Sequence, residues 1–272
     1  MKILKTIEEV QAIRKTITSS VGFVPTMGAL HDGHISLIKK AREENEIVVV
    51  SIFVNPTQFL EGEDLDSYPR RDEADKKICE LCKVDYLFMP DISTMYSKEE
   101  ILIKAPNKSY MLEGLTRPGH FDGVLQVVLK LFGITQPNNA YFGKKDAQQL
   151  SLIMQMVKNL FLPINIIACD IIREKDGLAM SSRNVYLDEK QRKEALLLSQ
   201  SLYTAASLIS KGELNSILVK RRIEEVLKDL DIEYAAIVNR EFDEIDTIEL
   251  KNTIILIVVR FGNTRLLDNI WI

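Results

Sequence analysis

The sequence is poor in the residues that usually announce a metal site or a covalent staple. It has three cysteines, three histidines and one tryptophan among 272 residues. Cys79 and Cys82 form a CxxC pair, but no second pair and no histidines at ligand spacing accompany them. That argues against zinc and for a helix preceding the apolar run 84–88. No run approaches the roughly 20 apolar residues needed to span a bilayer. The start, Met1-Lys2-Ile3-Leu4-Lys5, is basic, yet Glu8 and Glu9 arrive where a signal's apolar stretch belongs, so a cytoplasmic protein is expected. An excess of positive charge is missing too. A net charge of −4 suits neither nucleic acid nor an anionic membrane as partner. Both familiar phosphate-binding signatures are absent: there is no GxGxxG, and Gly28 and Gly33 have Walker A spacing but are followed by His34 and Ile35 instead of Lys and Ser/Thr.

What is present is an ordinary globular composition, 46% hydrophobic and 27% charged. Apolar periodicity alternates between strand and helix over the first two thirds. Strands are expected at 21–24 (closed by Pro25), 47–54, 84–88, 140–142 and 164–168. Helices are expected at 34–45, 71–82, 123–132 and 147–160, with 91–109 irregular. This alternation predicts an α/β fold, a Rossmann-like parallel sheet with helices on both faces. After Asn184 the pattern changes. Asp188 and Gln191 form a capping pair for a helix ending at Gly212, a second helix spans 217–230, and strands follow at 232–238 and 254–259. A smaller α+β domain at 172–272 is therefore expected behind a domain at 1–171.

Four segments sit where such folds do chemistry. The first, Pro25-Thr26-Met27-Gly28-Ala29-Leu30-His31-Asp32-Gly33-His34, leaves a strand and opens a helix. Free backbone N–H groups and the helix dipole there favour an anion. His31 and His34, an HxGH pair, can lie on one side and donate to one phosphate; two surface histidines in a turn is the plainer alternative. The second segment, Ser51 to Phe59, places Gln58 at the carboxyl end of a buried strand, where open α/β sheets bind ligands. The third, Gly143-Lys144-Lys145-Asp146, repeats the strand–turn–helix logic with two lysines, one of which is expected to face phosphate, and Gln149 follows one turn later. The fourth, Met180-Ser181-Ser182-Arg183-Asn184, offers hydroxyls and a guanidinium suited to phosphate capture at the domain boundary. His120, in Arg117-Pro118-Gly119-His120, is balanced between function and a structural turn.

Taken in order, PTMGALHDGH, SIFVNPTQF, SYPR, RPGHFDG, YFGKKDAQQL and GLAMSSRN resemble the pantothenate synthetase (pantoate–β-alanine ligase) family of the HxGH nucleotidylyltransferase superfamily. The resemblance covers nearly the whole chain and is looser in the last third, where Arg265-Leu266-Leu267-Asp268-Asn269 carries it. It implies an ATP site made of Met27, Gly28, Ala29, Leu30, His31, Asp32, Gly33 and His34, completed by Gly143, Lys144, Lys145, Asp146, Ile172, Met180, Ser181, Ser182 and Arg183. It also implies His34 as proton donor, Lys145 on the phosphates, Gln58 on pantoate and β-alanine, and Gln149 on pantoate. Many relatives carry Glu where this chain has Lys144, which weakens any side-chain role there. Mg²⁺ accompanying ATP, no assigned protein ligand for it, and a homodimer formed through the N-terminal domain belong to the same implication. A nucleotidylyltransferase with a phosphate acceptor, a non-catalytic ATP sensor and a tRNA-binding synthetase-like protein are the competing readings. The two glutamine motifs speak against the first of these and the acidic balance against the last.

Overall fold

The order of strands in the larger sheet follows from which apolar runs can be buried on both faces. In the computed structural model, which describes residues 1–272, the chain runs β1 (Lys2–Leu4), α1 (Ile7–Arg14), β2 (Val21–Thr26), α2 (Asp32–Glu44), β3 (Ile47–Ile52), α3 (Asp72–Leu81), β4 (Tyr86–Phe88), α4 (Ile92–Met95), α5 (Glu113–Thr116), α6 (His120–Thr135), β5 (Asn139–Gly143), α7 (Ala147–Asn159) and β6 (Asn165–Cys169). It continues through α8 (Glu189–Ser210), α9 (Ser216–Val226), β7 (Asp231–Asn239), β8 (Thr253–Phe261) and β9 (Thr264–Trp271). The first six strands form one parallel sheet in the order β1-β4-β3-β2-β5-β6. The β-branched run of β3 and the apolar run of β2 are central and almost fully buried. Chain order moves one way from β2 through β3 to β4 and the other way from β5 to β6. Right-handed crossovers on the two arms place helices on opposite faces, and they leave a switch point between β2 and β5.

The last three strands form a separate antiparallel sheet, β7-β8-β9. Its inward side chains, including Ala235, Ile237, Ile255, Ile257 and Val259, share a core with Ala195, Leu198, Leu202, Ala205 and Ile209 of α8. Asp188 and Gln191 cap α8 reciprocally, at 2.8 and 3.1 Å. By contact the chain divides into two compact units: Met1–Lys144 with Gln148–Asp170, and Lys145–Ala147 with Ile171–Ile272. The three residues Lys145–Ala147 thus group with the second unit although they lie inside the first in sequence.

Several elements differ from the periodicity reading. β2 runs through Pro25 to Thr26, because β5 pairs with it only at Gly22 and Phe23 and no donor is required of Pro25 on that side. α2 begins at Asp32 with His31 as its N-cap, so both histidines of HxGH belong to the helix start. α6 begins at His120, three residues before its apolar pattern becomes visible, after Gly119 in the left-handed region at φ 86°. The segment read as irregular contains α4 and a 3-10 turn, Asn107–Tyr110. β1, α1 and β9 are additions that the periodicity does not predict.

Candidate active site

The HxGH segment is built from its backbone outward. Gly28 takes φ 84° and Ala29 φ 50°, a turn that needs the glycine and strains the alanine. The turn is held by Asp75 of α3, whose two oxygens accept the Ala29 and Leu30 N–H groups at 2.8 Å each. Asp75 and Asp72 read in sequence as acids that reach the metal or, more simply, as ordinary acids on a helix surface. The surface placement is wrong for Asp75, which is 1% exposed. Burial raises its pKa more than the two backbone bonds lower it. Thr26 adds a tie, accepting from Gly28 N–H at 3.2 Å while donating to Ser51 O at 2.8 Å.

The two imidazoles then cap α2 reciprocally. His31 Nδ1 accepts from Gly33 N–H at 3.1 Å, and His34 Nδ1 accepts from His31 N–H at 3.3 Å. With Nδ1 accepting in both rings, Nε2 carries the hydrogen in each neutral form. The ring centroids lie 4.1 Å apart, tilted by 40°. The structure therefore brings His31 and His34 together as two N–H donors at a helix start, beside the carboxyl end of β2.

Gln58 ends a 3-10 turn, Pro56–Gln58, that follows β3. Its Oε1 accepts from Asn55 Nδ2 at 3.1 Å, and its Nε2 faces Met27 Sδ at 3.1 Å. Thioether sulfur is a weak acceptor, so a carboxylate or hydroxyl oxygen competes for that N–H₂ easily. Asn55, 1% exposed, also donates to Gly123 O at 3.1 Å and accepts from Tyr96 OH at 2.7 Å. Beneath this turn lies a polar hub. Arg117 donates to both Glu63 oxygens at 2.6 Å, to Gln58 O at 3.3 Å, to Glu113 Oε1 at 3.5 Å and to His120 Nε2 at 3.1 Å. These contacts use all of its N–H directions. His120 Nδ1–H donates to Gln58 O at 2.7 Å. Burial, with the neighbouring Arg117 charge, holds the His120 pKa down at about 4. Burial pushes the Glu63 carboxyl up, but Arg117 outweighs it and the pKa ends below the usual range.

At the end of β5, Lys144 pairs with Asp170 at 2.5 Å. Gln149 is half-buried on the first turns of α7. Its neighbour Gln148 is structural: it donates to Lys108 O and Met111 O at 3.1 and 2.9 Å and accepts from Glu113 N–H at 3.1 Å. In the second unit, the Lys145 ammonium lies 3.6 Å from Asp146, and Lys145 O accepts from Asn269 Nδ2 at 2.6 Å. Ile172 O accepts from Met180 N–H at 2.9 Å, closing a small hairpin. Ser181 caps the 3-10 turn Ser182–Tyr186, its Oγ accepting from Arg183 N–H at 3.3 Å. Asn184 ties that turn to Glu174 at 2.7 Å, and Arg192 holds Glu174 at 2.7 Å from α8.

The sequence profile of the pantoate-beta-alanine ligase family matches residues 2–271. The chain belongs to that family. It is 74% identical over 272 residues, with both chains fully covered, to the pantothenate synthetase of Aliarcobacter butzleri (strain RM4018). Among solved structures it is similar to pantothenate synthetase from Thermus thermophilus, with TM-score 0.95 and 39% identity over 100% of this chain and 99% of that one. It is also similar to the pantoate-beta-alanine ligase of Francisella tularensis complexed with beta-gamma ATP and beta-alanine, with TM-score 0.82 and 38% identity over 100% and 97%.

In this ligase-family chain no three acidic, histidine or cysteine side chains converge as a metal cage. Asp75 is committed to backbone N–H groups, so the residues present do not build a resident metal centre. Cys79 of the CxxC pair is buried and its thiol is pushed up to about 12, which leaves it an inert core residue. The sequence does not disclose the residues that hold these segments: Asp75, Asn55 and the Arg117–Glu63 pair in the first unit, and Asn269 in the second. For Asn55 a signal existed, since Asn-Pro after a buried strand marks a turn whose Asn side chain bonds ahead.

Proposed function

We propose that the chain condenses pantoate with β-alanine at the expense of ATP, through a pantoyl adenylate. The observation that carries this reading is the adjacent His31–His34 pair, whose Nδ1 atoms accept backbone N–H bonds so that both Nε2–H groups serve as donors. A pantoate carboxylate oxygen attacks the α-phosphorus of ATP, the bond to the β-phosphate oxygen breaks, and pyrophosphate leaves. A carboxylate is ionised at neutral pH, with a pKa near ~4, and needs no general base. What the reaction requires is alignment and stabilisation of charge on the phosphates. His34, as proton donor, and His31 supply it, together with Lys145 and Arg183. Met27 to His34, Gly143 to Asp146, Ile172 and Met180 to Arg183 bind the nucleotide. Mg²⁺ enters as part of the nucleotide substrate, carried on its phosphates. Gln58 binds pantoate and β-alanine, and Gln149 binds pantoate. The β-alanine amine then attacks the acyl carbon, the bond from that carbon to the phosphate oxygen breaks, AMP leaves, and the amine proton passes to water.

Residues 1–171 are the ATP- and pantoate-binding domain in this reading, and 172–272 a lid that keeps water from the mixed anhydride. Activity is cytoplasmic in this reading; no helix is long and apolar enough to cross a membrane. The active form is a homodimer joined through the first unit. Ile101, Leu102 and Leu115 there are 88%, 83% and 69% exposed, apolar surface that a second copy would cover. Sedimentation equilibrium tests this: a monomer at micromolar concentration removes the dimer.

Pyrophosphate–ATP exchange tests the chemistry. With pantoate and no β-alanine, label passes from pyrophosphate into ATP; added β-alanine then yields AMP and pantothenate. ATP binding without pantoate-dependent exchange overturns the substrate assignment and leaves an ATP sensor or another acceptor to be found.

A further inference from the structure

His120 is buried, lies outside every motif expected to touch ATP, and yet sits directly under the residue proposed to hold pantoate. Its two ring nitrogens have opposite roles. Gln58 O can only accept, so Nδ1 bears the hydrogen at 2.7 Å; the Arg117 guanidinium can only donate, so Nε2 is the acceptor at 3.1 Å. The tautomer is thus set by Arg117, which Glu63 grips with two 2.6 Å bonds. A second Arg117 N–H reaches the same Gln58 carbonyl at 3.3 Å. One carbonyl of the 3-10 turn therefore receives two donors from one hub. The hub stands against the turn with no slack: a Cβ on Gly123, one turn into α6, would lie 2.2 Å from Thr57 O and 2.7 Å from Gln58 N.

We propose that His120 is a positioning residue for the acid substrate: its Nδ1–H, held in that tautomer by Arg117, fixes the Gln58 main chain and so aims the Gln58 amide. The inference rests on the reading of Gln58 as a pantoate ligand. Asn55 sets which end of that amide points where, by donating to Oε1, and His120 sets where the amide is. No proton moves through His120, and its ring touches neither reacting group.

The test compares two variants in pyrophosphate–ATP exchange. His120→Asn places an amide N–H where Nδ1–H was, whereas His120→Gln carries it one bond further, to the place of Nε2. Losing one neutral hydrogen bond corresponds to about five- to tenfold in affinity. His120→Gln should raise KM for pantoate by that factor with KM for ATP within about twofold, and His120→Asn should restore it. Equal pantoate KM in the two variants and the wild type, or an equal rise in the ATP KM, overturns the proposal. A readout on the unmutated protein does not depend on either variant folding. Long-range ¹H–¹⁵N correlation should find the His120 ring as the Nδ1–H tautomer at pH 7, and an Nε2–H ring or an imidazolium refutes it. Wild-type protein without pantoate-dependent exchange overturns the pantoate reading and this inference with it; an active wild type with indifferent variants overturns this inference alone.

Discussion

At the residue scale the candidate site depends on backbone N–H groups choosing the state of side chains, and two predictions follow from that dependence. The first concerns His34. Its Nε2–H is a donor because the His31 N–H occupies Nδ1. Removing one pre-aimed donor from developing charge typically costs ~10²–10³ in turnover. His34→Ala should therefore lower kcat in that range with far-UV and near-UV dichroism unchanged, and near-normal kcat would remove His34 from the chemistry. The second concerns His120 and acid stability. Its pKa falls from the ordinary 6.5 to about 4 on folding, because burial and the Arg117 charge disfavour the cation. Between those values the unfolded chain binds a proton that the folded one refuses, so stability present above pH 6.5 is lost as pH falls toward 4. The pKa difference corresponds to about 3 kcal/mol over that window. His120→Asn cannot titrate, so denaturant melts of the variant should lose about that much less stability than wild type between pH 7 and pH 4. Parallel losses in the two proteins would show that other groups dominate the acid limb.

At the element scale, α6 and the Pro56–Gln58 turn approach so closely that glycine becomes obligatory, and the two nearby glycines separate contact from conformation. Gly119 has φ 86° but nothing within 4 Å of an added Cβ, whereas Gly123 has helical backbone but would drive its Cβ into Thr57 and Gln58 main-chain atoms. Gly119→Ala should cost about 1–2 kcal/mol from the left-handed backbone and leave pantoate KM alone. Gly123→Ala should cost about 1–3 kcal/mol as an overpacked contact and raise pantoate KM as well, since the turn carrying Gln58 must move. Thermal melts with exchange kinetics on both variants decide; identical kinetic profiles would mean that the contact does not reach the site. The same elements mark what the sequence can and cannot disclose. Long periodic segments such as α8 and the β-branched β3 are legible because burial on a fixed face writes their pattern. α6 reads too short because Arg117-Pro118-Gly119 looks like a turn, and the helix begins with a buried His whose partner lies 62 residues away at Gln58. β9 is hidden because its buried positions include Asp268 and Asn269, polar residues that bond Arg173 and the Lys145 carbonyl instead of alternating with apolar ones. HxGH and the glutamine loop are legible as a candidate site because their order along the chain is distinctive. Asp75 is not, because an acid in the first turns of a helix ordinarily complements the dipole.

At the scale of the whole molecule, the two units have separate cores, and the second depends on a buried charge pair. Asp268 on β9 is 1% exposed and accepts from Arg173 at 2.6 and 2.9 Å. Burial raises the Asp268 pKa against the pull of Arg173, so the ionised pair is held by geometry at a desolvation cost. The next residue, Asn269, grips Lys145 O from the same strand, which places the three-residue segment Lys145–Ala147 under the control of β9. Asp268→Ala leaves the Arg173 cation buried without its partner, a change that costs about 3–5 kcal/mol. Because the clusters around α8 and β7–β9 and around β2–β4 share no residue, the loss should fall on one unit. Amide hydrogen exchange should accelerate in β7–β9 and α8 while β2 and β3 retain wild-type protection. Replacing both partners with apolar residues, Arg173→Met with Asp268→Leu, removes the unpaired charge and should recover most of the protection. Uniform loss of protection across both sheets would instead mean that the chain unfolds as one cooperative body, and that β9 stabilises far more than its own unit.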